Sequence, residues 1–416
     1  MNTIEEIYKL YTPRECVLNN PNSYIGTMKP VLKEMRIYDE NTKGIILKNI
    51  LISEGFLKIF DEILMNAFDH TKRDLTCDEI KINVDKITGF IGISNNGCPI
   101  PVDIHKVSNK YIPEIVFFSL TNPNSYHGSF ANGLGAKLTN IFSKYFAVMI
   151  NDVQNNVTYF QDAKNNMETV EPPVISYVNN PTKSFTKIEF VPDYERFDMD
   201  SISDDMYALL KKRAYDIKEC CNSRVHVMLN DEEVLNQGWV FPSTESNNGE
   251  TELYPEFGYI MKYGGTDPFC CFEIDTMTQH DFNKVKIGIL YGDDIQSGQI
   301  SFVNGINTYD GGMHVEHIKI LLAKQIKKYY NIPEDIIFNN IILFINFTWE
   351  DPSFENQSKT KVNRLRGLNN ININPILYEM KSLANHLKMK MDLLIKKRLC
   401  SDKDNPNRSI KKLKIN

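Results

Sequence analysis

No uninterrupted apolar run in the 416-residue chain approaches the roughly 20 residues that a membrane-spanning helix needs. Its strongest apolar stretch, "NIILFINFTW", is short and broken by Asn346. Insertion into a membrane is therefore not expected. Net positive charge is also lacking: 47 Lys and Arg stand against 53 Asp and Glu, a formal charge of -6. That excludes a chain that coats nucleic acid through bulk charge and leaves only local basic patches for such contacts. The eight cysteines include the neighbours Cys220-Cys221 and Cys270-Cys271 but no CxxC, and "MNTIEEIYKL" carries no secretory signal. Both point to a reduced intracellular compartment. His314 and His317 in "GGMHVEHIK" have a spacing that can ligate a metal, yet no further ligand cluster accompanies them, so a structural role is expected. Neither GxxxxGK[ST] nor a GxGxxG that opens a Rossmann unit is present, and there is no internal repeat.

What is present is an ordinary globular composition, 42% hydrophobic and 24% charged, long enough for two or three domains. The first 30 residues read as an arm, a short helix "IEEIYKLY" followed by the turn-rich "NNPNSYIG". "EIKINVDKITGFIGIS" alternates apolar and polar residues about a Thr-Gly turn and predicts a hairpin, closed by the loop "NNGCPIP". In "HGSFANGLGAKLTNIFSKYF" a glycine-containing loop leads into helical spacing at Leu138, Ile141, Phe142 and Tyr145. Strands "YFAVMI" and "FTKIEFVP" and a helix "DMYALLKKRAYDIKECC" follow. Helices and strands in this order predict an α/β sandwich, with helices on one face of a mixed sheet. After the polar stretch "STESNNGETELYPEFG" comes a second α/β domain. Its strands are "KVKIGILYG", "GQISFVNGINT" and "NIILFINFTW", and its helices are "HVEHIKILLAKQIKKYY" and "ILYEMKSLANHLKMKMDLLIKK".

The stretch "FLKIFDEILMNAFDH" poses the functional question. At helical spacing Phe56, Phe60, Ile63 and Ala67 form an apolar stripe, while Glu62, Asn66 and Asp69 line up on another face. A surface helix facing water accounts for that pattern, and so does a site. Hydrolysis of ATP needs a carboxylate near the attacking water and oxygen ligands for Mg²⁺ beside the phosphates, which Glu62 and Asn66 can supply one turn apart. Asp69 or Asn95 can accept a hydrogen bond from an adenine amino group. Backbone N-H groups of "NGLGAK" suit phosphate, although this loop alone is a weak signal. A phosphate-sensing lysine can come from Lys137 or from "FENQSK".

Six segments now stand in one order: "KIFDEILMNAFD", "SNNGCPIP", "NGLGAKLTNIFS", "RAYDI", "SFVNGINTYDGGMHV" and "DPSFENQSK". Over nearly its whole length the chain resembles the N-terminal region of eukaryotic-type type IIA DNA topoisomerases. That region is a GHKL (Bergerat) α/β sandwich followed by a second α/β domain, the transducer. The resemblance implies an arm at 1–30, an ATPase domain at 31–237, a transducer at 238–400, and a polar tail at 401–416 leading toward a missing cleavage core, whose EGDSA-type motif is absent. It places the general base on Glu62 and the magnesium-holding asparagine on Asn66, with Asp69 at a further polar position of that motif and Asn95 facing the nucleotide in the next loop. Asn122, Pro123 and Asn124 take the place of ribose and phosphate contacts. Phe130, Ala131, Asn132, Gly133, Leu134, Gly135, Ala136 and Lys137 take the place of the phosphate loop. Gln357, Ser358 and Lys359 match the Gln-Thr-Lys element, with Lys359 reaching the γ-phosphate. Tyr8 is the arm tyrosine that reaches the partner's nucleotide.

ATP and Mg²⁺ are the implied cofactors, and a homodimer closed by ATP and duplex DNA are the implied partners, in the nucleus or, for a viral chain, at the host-cell replication site. Lys324, Lys327 and Lys328 in "AKQIKKYY" are candidate DNA-phosphate contacts, or an ordinary solvated face. Three departures from the family pattern stand out. Pro99 replaces a glycine, Phe130-Ala131 replaces Gly-Arg before Asn132-Gly133, and the preceding lid "TNPNSYHGSF" is shorter. Weaker nucleotide affinity is the expected consequence. The alternatives are another GHKL ATPase, gyrase-type or mismatch-repair-like, and a non-hydrolysing nucleotide-binding scaffold.

Overall fold

The computed structural model describes residues 10–120, 134–177, 183–235, 239–240, 253–254, 269–278, 281–291, 297–371 and 377–403. The chain forms two compact units, Met1–Gly264 with Asn356–Lys359, and Gly265–Glu355 with Thr360–Asn416. The division follows Gly264, later than the expected 237/238, and the turn Asn356–Lys359 belongs to the first unit.

In the first unit, residues 10 and 11 of the expected arm helix are not helical, and its remainder lies outside the described residues. The first described helix is instead α1, Pro13–Asn19. It begins there because Thr12 and Glu15 cap each other reciprocally and Pro13 occupies a position that needs no N-H. An antiparallel pair that the reading does not anticipate follows, β1 (Val31–Asp39) and β2 (Gly44–Ile52).

Helix α2, Glu54–Arg73, carries the questioned stretch. The buried Ser53 starts it by accepting a hydrogen bond from the Phe56 N-H at 3.1 Å. Arg224 closes it, donating to the carbonyls of Thr71, Leu75 and Cys77 at 2.6, 2.8 and 2.7 Å. The expected apolar stripe is the buried face: Phe56, Phe60, Ile63 and Ala67 are at most 3% exposed. Each large side chain there contributes about 1.5–3 kcal/mol by leaving water.

The first unit's large sheet has nine strands. They are β3 (Glu79–Val84), β4 (Ile91–Asn96), β5 (Ser143–Asp152), β6 (Val157–Lys164), β7 (Thr169–Val170), β8 (Val174–Tyr177), β9 (Phe185–Pro192), β10 (His226–Leu229) and β11 (Glu232–Glu233). Their order is β8-β6-β5-β9-β4-β3-β10-β11, with β7 beside β6, and only β10 and β3 run parallel. The β3–β4 hairpin turns where predicted, with Gly89 at φ +71° because a Cβ there would meet the Tyr194 ring at 2.5 Å. Besides α3 (Ile112–Phe117), two helices matter for the site: α4 (Gly135–Ile141) and α5 (Asp204–Cys220).

The predicted helical run through Tyr145 is corrected: α4 stops at Ile141, and Tyr145 lies on β5. Apolar residues 138–146 satisfy both periods, and the sheet claims them from Ser143 onward, with Phe146, Val148 and Ile150 fully buried.

The second unit has a five-stranded sheet, ordered β12-β13-β16-β14-β15. Its strands are β12 (Phe269–Thr278), β13 (Asp281–Tyr291), β14 (Gly298–Val303), β15 (Ile306–Asn307) and β16 (Ile341–Thr348). Strand β14 runs parallel to β16, and the connection between them passes through α6 (Met313–Ile326) and α7 (Glu334–Phe338). Ile287, Leu343 and Phe347 of the sheet join Ile318 and Leu322 of α6 and Leu383 and Leu387 of α8 (Leu377–Lys403) in one core. Among the described residues no helix is long and apolar enough to cross a membrane.

His314 is fully buried on α6, with Nε2 3.2 Å from the Thr308 hydroxyl and its ring edge-on to Phe347. No group of three or more metal-capable side chains occurs among the described residues. Burial lowers the His314 pKa from its ordinary 6.5 to about 4. The unfolded chain therefore binds the extra proton first, and stability present above pH 6.5 is lost as pH falls toward 4, by about 3 kcal/mol. In a Trp239→Phe background, urea unfolding followed at the buried Trp349 should show this loss, and His314→Gln should flatten it. An equally steep dependence in His314→Gln would assign the acid sensitivity to other groups.

Candidate active site

Every described member of the candidate set in the first unit sits on α2, on the β4 end, on α4 or in the 356–359 turn. On α2, Glu62 is half-buried, whereas Asn66 and Asp69 one and two turns on are exposed. The polar stripe thus runs from a sheltered carboxylate to open oxygen donors along one helix face.

Lys58, one turn before Glu62 and 8% exposed, forms an ion pair with the Glu62 carboxylate. Lys359, half-buried in its turn, adds a second positive charge to the same carboxylate. Burial alone would raise the Glu62 pKa, but the charges of Lys58 and Lys359 and the Lys58 hydrogen bond outweigh it and hold the group below the usual carboxylate range. Lys359 is pushed down in turn, first by burial and then by Lys58, with Glu62, Asp69 and Asp61 opposing. Its backbone adopts φ +59°, in the left-handed region that a non-glycine residue seldom occupies. Beside it, the backbone of Gly26 lies so near Ser358 that a Cβ there would come within 2.5 Å of Oγ. Gln357 is exposed.

Gly135 opens α4 directly against Glu62, where an added Cβ would collide with the carboxylate. Only glycine admits this approach. Leu134 is half-buried, and Ala136 and Lys137 are buried. Lys137 is 3% exposed and its pKa is lowered by that burial. Thr139 ties α4 to α2 by donating to the Ile59 carbonyl at 2.9 Å. Asn95 is half-buried at the end of β4, donating to the Asn96 carbonyl at 3.0 Å. Tyr8, Asn122, Pro123, Asn124, Phe130, Ala131, Asn132 and Gly133 lie outside the described residues.

Sequence reasoning missed the groups that seat this helix. Asp61, beside Glu62, pairs with Arg213 of α5 at 2.9 Å, and Asp216 lies 3.6 Å from Arg213 and 2.8 Å from Lys212. The three α5 side chains are at most 4% exposed, so α2 is tied to α5 by charges held away from water. In "KIFDEIL" and "KKRAYDI" they stand as charges at helical spacing, a pattern that does not distinguish an enclosed charge from a solvated one. Asp74 fixes the loop after β4, accepting from the Cys98 N-H at 2.6 Å.

In the second unit, the predicted helix through Tyr330 ends at Ile326, and Lys327 is its C-cap. Lys324, Lys327 and Lys328 are exposed, but Lys327 already pairs with Glu334 at 3.1 Å.

Comparison with known proteins bears on the fold and the family. The family model described as DNA gyrase B matches residues 244–367. A DNA topoisomerase 2 from Acanthamoeba polyphaga mimivirus is 33% identical over 377 residues, covering 86% of this chain and 28% of that relative. The chain thus spans little more than a quarter of that relative's length. The crystal structure of the ATPase region of Saccharomyces cerevisiae topoisomerase II is similar at a TM-score of 0.76 and 29% identity, covering 94% of this chain and 100% of that one. The ATPase and transducer domains of DNA topoisomerase II from Balamuthia mandrillaris give the same TM-score of 0.76 and identity of 29%, with the same coverage of 94% and 100%. With its α/β sandwich and second α/β unit matched in order over nearly their full extent, the chain belongs to the type II DNA topoisomerase family and corresponds to that enzyme's ATPase and transducer region.

Proposed function

We propose that the first unit binds and hydrolyses ATP, and that the chain is the ATP-operated gate of a type II topoisomerase that closes with a second copy around duplex DNA. One observation carries the reading. Glu62 is a sheltered carboxylate ion-paired with Lys58, with the Gly135 backbone pressed against it and the Lys359 charge helping to hold its pKa low.

In this reading Glu62 takes the proton of the attacking water, and Lys359 neutralises charge on the terminal phosphate. The exposed side-chain oxygen of Asn66 suits a hard divalent cation. Asn66 would hold Mg²⁺, which supplies charge neutralisation along the phosphates when bound. Asp69 and Asn95 face the base, while Asn122 to Asn124 and Phe130 to Lys137 enclose ribose and phosphates. Gln357 and Ser358 support the Lys359 turn. Residues 1–30 with Tyr8 form the arm, 31–237 the ATPase domain and 238–400 the transducer. Lys324 and Lys328 are free to meet DNA phosphates, and Lys327 would first leave Glu334. An intracellular setting with access to DNA, nuclear or at a viral replication site, follows from that role.

A ligand that bridges two protomers drives their association by mass action. A non-hydrolysable ATP analogue with Mg²⁺ should therefore shift the chain from monomer to dimer in light scattering. Removal of residues 1–20 should weaken the shift. Steady-state ATPase should be measurable and stimulated by duplex DNA. A chain that stays monomeric with the analogue bound sinks the gate, and one that dimerises without turnover is a nucleotide-binding scaffold.

A further inference from the structure

Lys58 has no place in the reading above, yet it makes the most direct contact with the carboxylate on which that reading turns. It stands one helical turn before Glu62, is 8% exposed, and is ion-paired with it. A cation so withdrawn from water needs a partner of opposite charge. Glu62 is that counter-charge.

We propose that Lys58 is a positioning residue for Glu62, fixing the rotamer of the carboxylate toward the α4 backbone and keeping it unprotonated for proton abstraction. The inference rests on Glu62 being the base. Among the described residues, the charges that act on Glu62 come from α2 and from the 356–359 turn. From α2 itself come Lys58 and, farther along, Asp69, whose own pKa burial raises while Lys72, Arg73 and Lys359 oppose. The 356–359 turn contributes Lys359, and α4 presents the Gly135 backbone.

Lys359 sits in a turn and is directed at the phosphates in the proposed reaction, so its charge is divided between nucleotide and base. Lys58 is on the same rigid helix as Glu62, at the spacing where side chains stack. Its hold on Glu62 therefore persists whether or not nucleotide is present. Without it, burial would be opposed by the Lys359 charge alone, so the Glu62 pKa would rise and the carboxylate would lose the contact that holds its rotamer.

The test uses Lys58→Met, which retains length and apolar stem, and Lys58→Arg, which retains charge. Lys58→Met should lower kcat at neutral pH about tenfold, with KM for ATP little changed, and should move the acid limb of the kcat-pH profile up by about one pH unit. Lys58→Arg should return the limb most of the way. A second readout, independent of turnover, is the Glu62 carboxyl titration by ¹³C NMR, assigned by its disappearance in Glu62→Gln. It should move up in Lys58→Met. An unmoved titration and unmoved limb overturn the proposal, as does a Lys58→Arg variant as impaired as Lys58→Met. If the carboxyl titration moves but Glu62→Gln still turns over, the base assignment fails while the coupling of Lys58 to Glu62 stands.

Discussion

Glu62→Gln is expected to bind ATP about as well as the parent chain while losing at least on the order of 100-fold in turnover, the usual scale for removing a general base. The substitution retains shape and the neighbouring Gly135 approach, so neither α2 nor α4 has to move. What it removes is the capacity to accept a proton, together with the negative charge between Lys58 and Lys359. Loss of that charge leaves two cations facing the phosphates, so ATP affinity has no reason to fall. A pre-steady-state and steady-state ATPase comparison, with affinity from analogue titration, decides it. Retention of more than half of the parent rate would remove Glu62 from the role and return the polar stripe to a solvated helix face.

For Lys359→Ala, turnover should fall by on the order of 100-fold or more, the scale seen when one preorganised charge-stabilising group is deleted. Affinity for ATP analogues should fall far more than affinity for ADP, because only the former present a terminal phosphate. The position itself argues for such a role. A half-buried lysine with a left-handed backbone, placed among like and unlike charges, is costly to maintain for folding alone. Equal losses for ATP analogue and ADP would instead make Lys359 a general electrostatic or folding residue. Lys137, buried on α4 and assigned above to the proposed phosphate loop, provides the contrast, since its loss should affect both nucleotides alike.

The legible parts of the sequence were those where one period prevailed. The stripe Phe56, Phe60, Ile63 and Ala67 and the β3–β4 alternation dictated a buried helix face and a hairpin, and both are present. Two periods coincide across residues 138–146, so the end of α4 was invisible until the sheet supplied partners for β5. The β1–β2 pair is masked by another cause. Charged side chains such as Lys33, Glu34 and Lys48 interleave with its apolar residues, and Leu32 and Leu51 face outward at 70% and 60% exposure. In the candidate site, residue types singled out Glu62, Asn66 and the glycine loop, because ATP hydrolysis would require such groups. Lys58 and Arg213 stayed hidden because an amphipathic pattern treats every charge as solvated, and only packing shows which charges are enclosed.

The enclosed Asp61–Arg213–Asp216–Lys212 series has a consequence for ionic strength. Dissolved ions screen exposed charges over about 8 Å at physiological concentration but hardly reach groups withdrawn from water. The seating of α2 on α5, and with it the direction in which Glu62 leaves the helix, should therefore be the same in dilute and concentrated salt. Lys324 and Lys328 stand in solvent and have no such protection. If the proposed ATPase and DNA roles hold, added salt should act on them separately, leaving basal nucleotide turnover nearly constant while removing any stimulation by a polyanion.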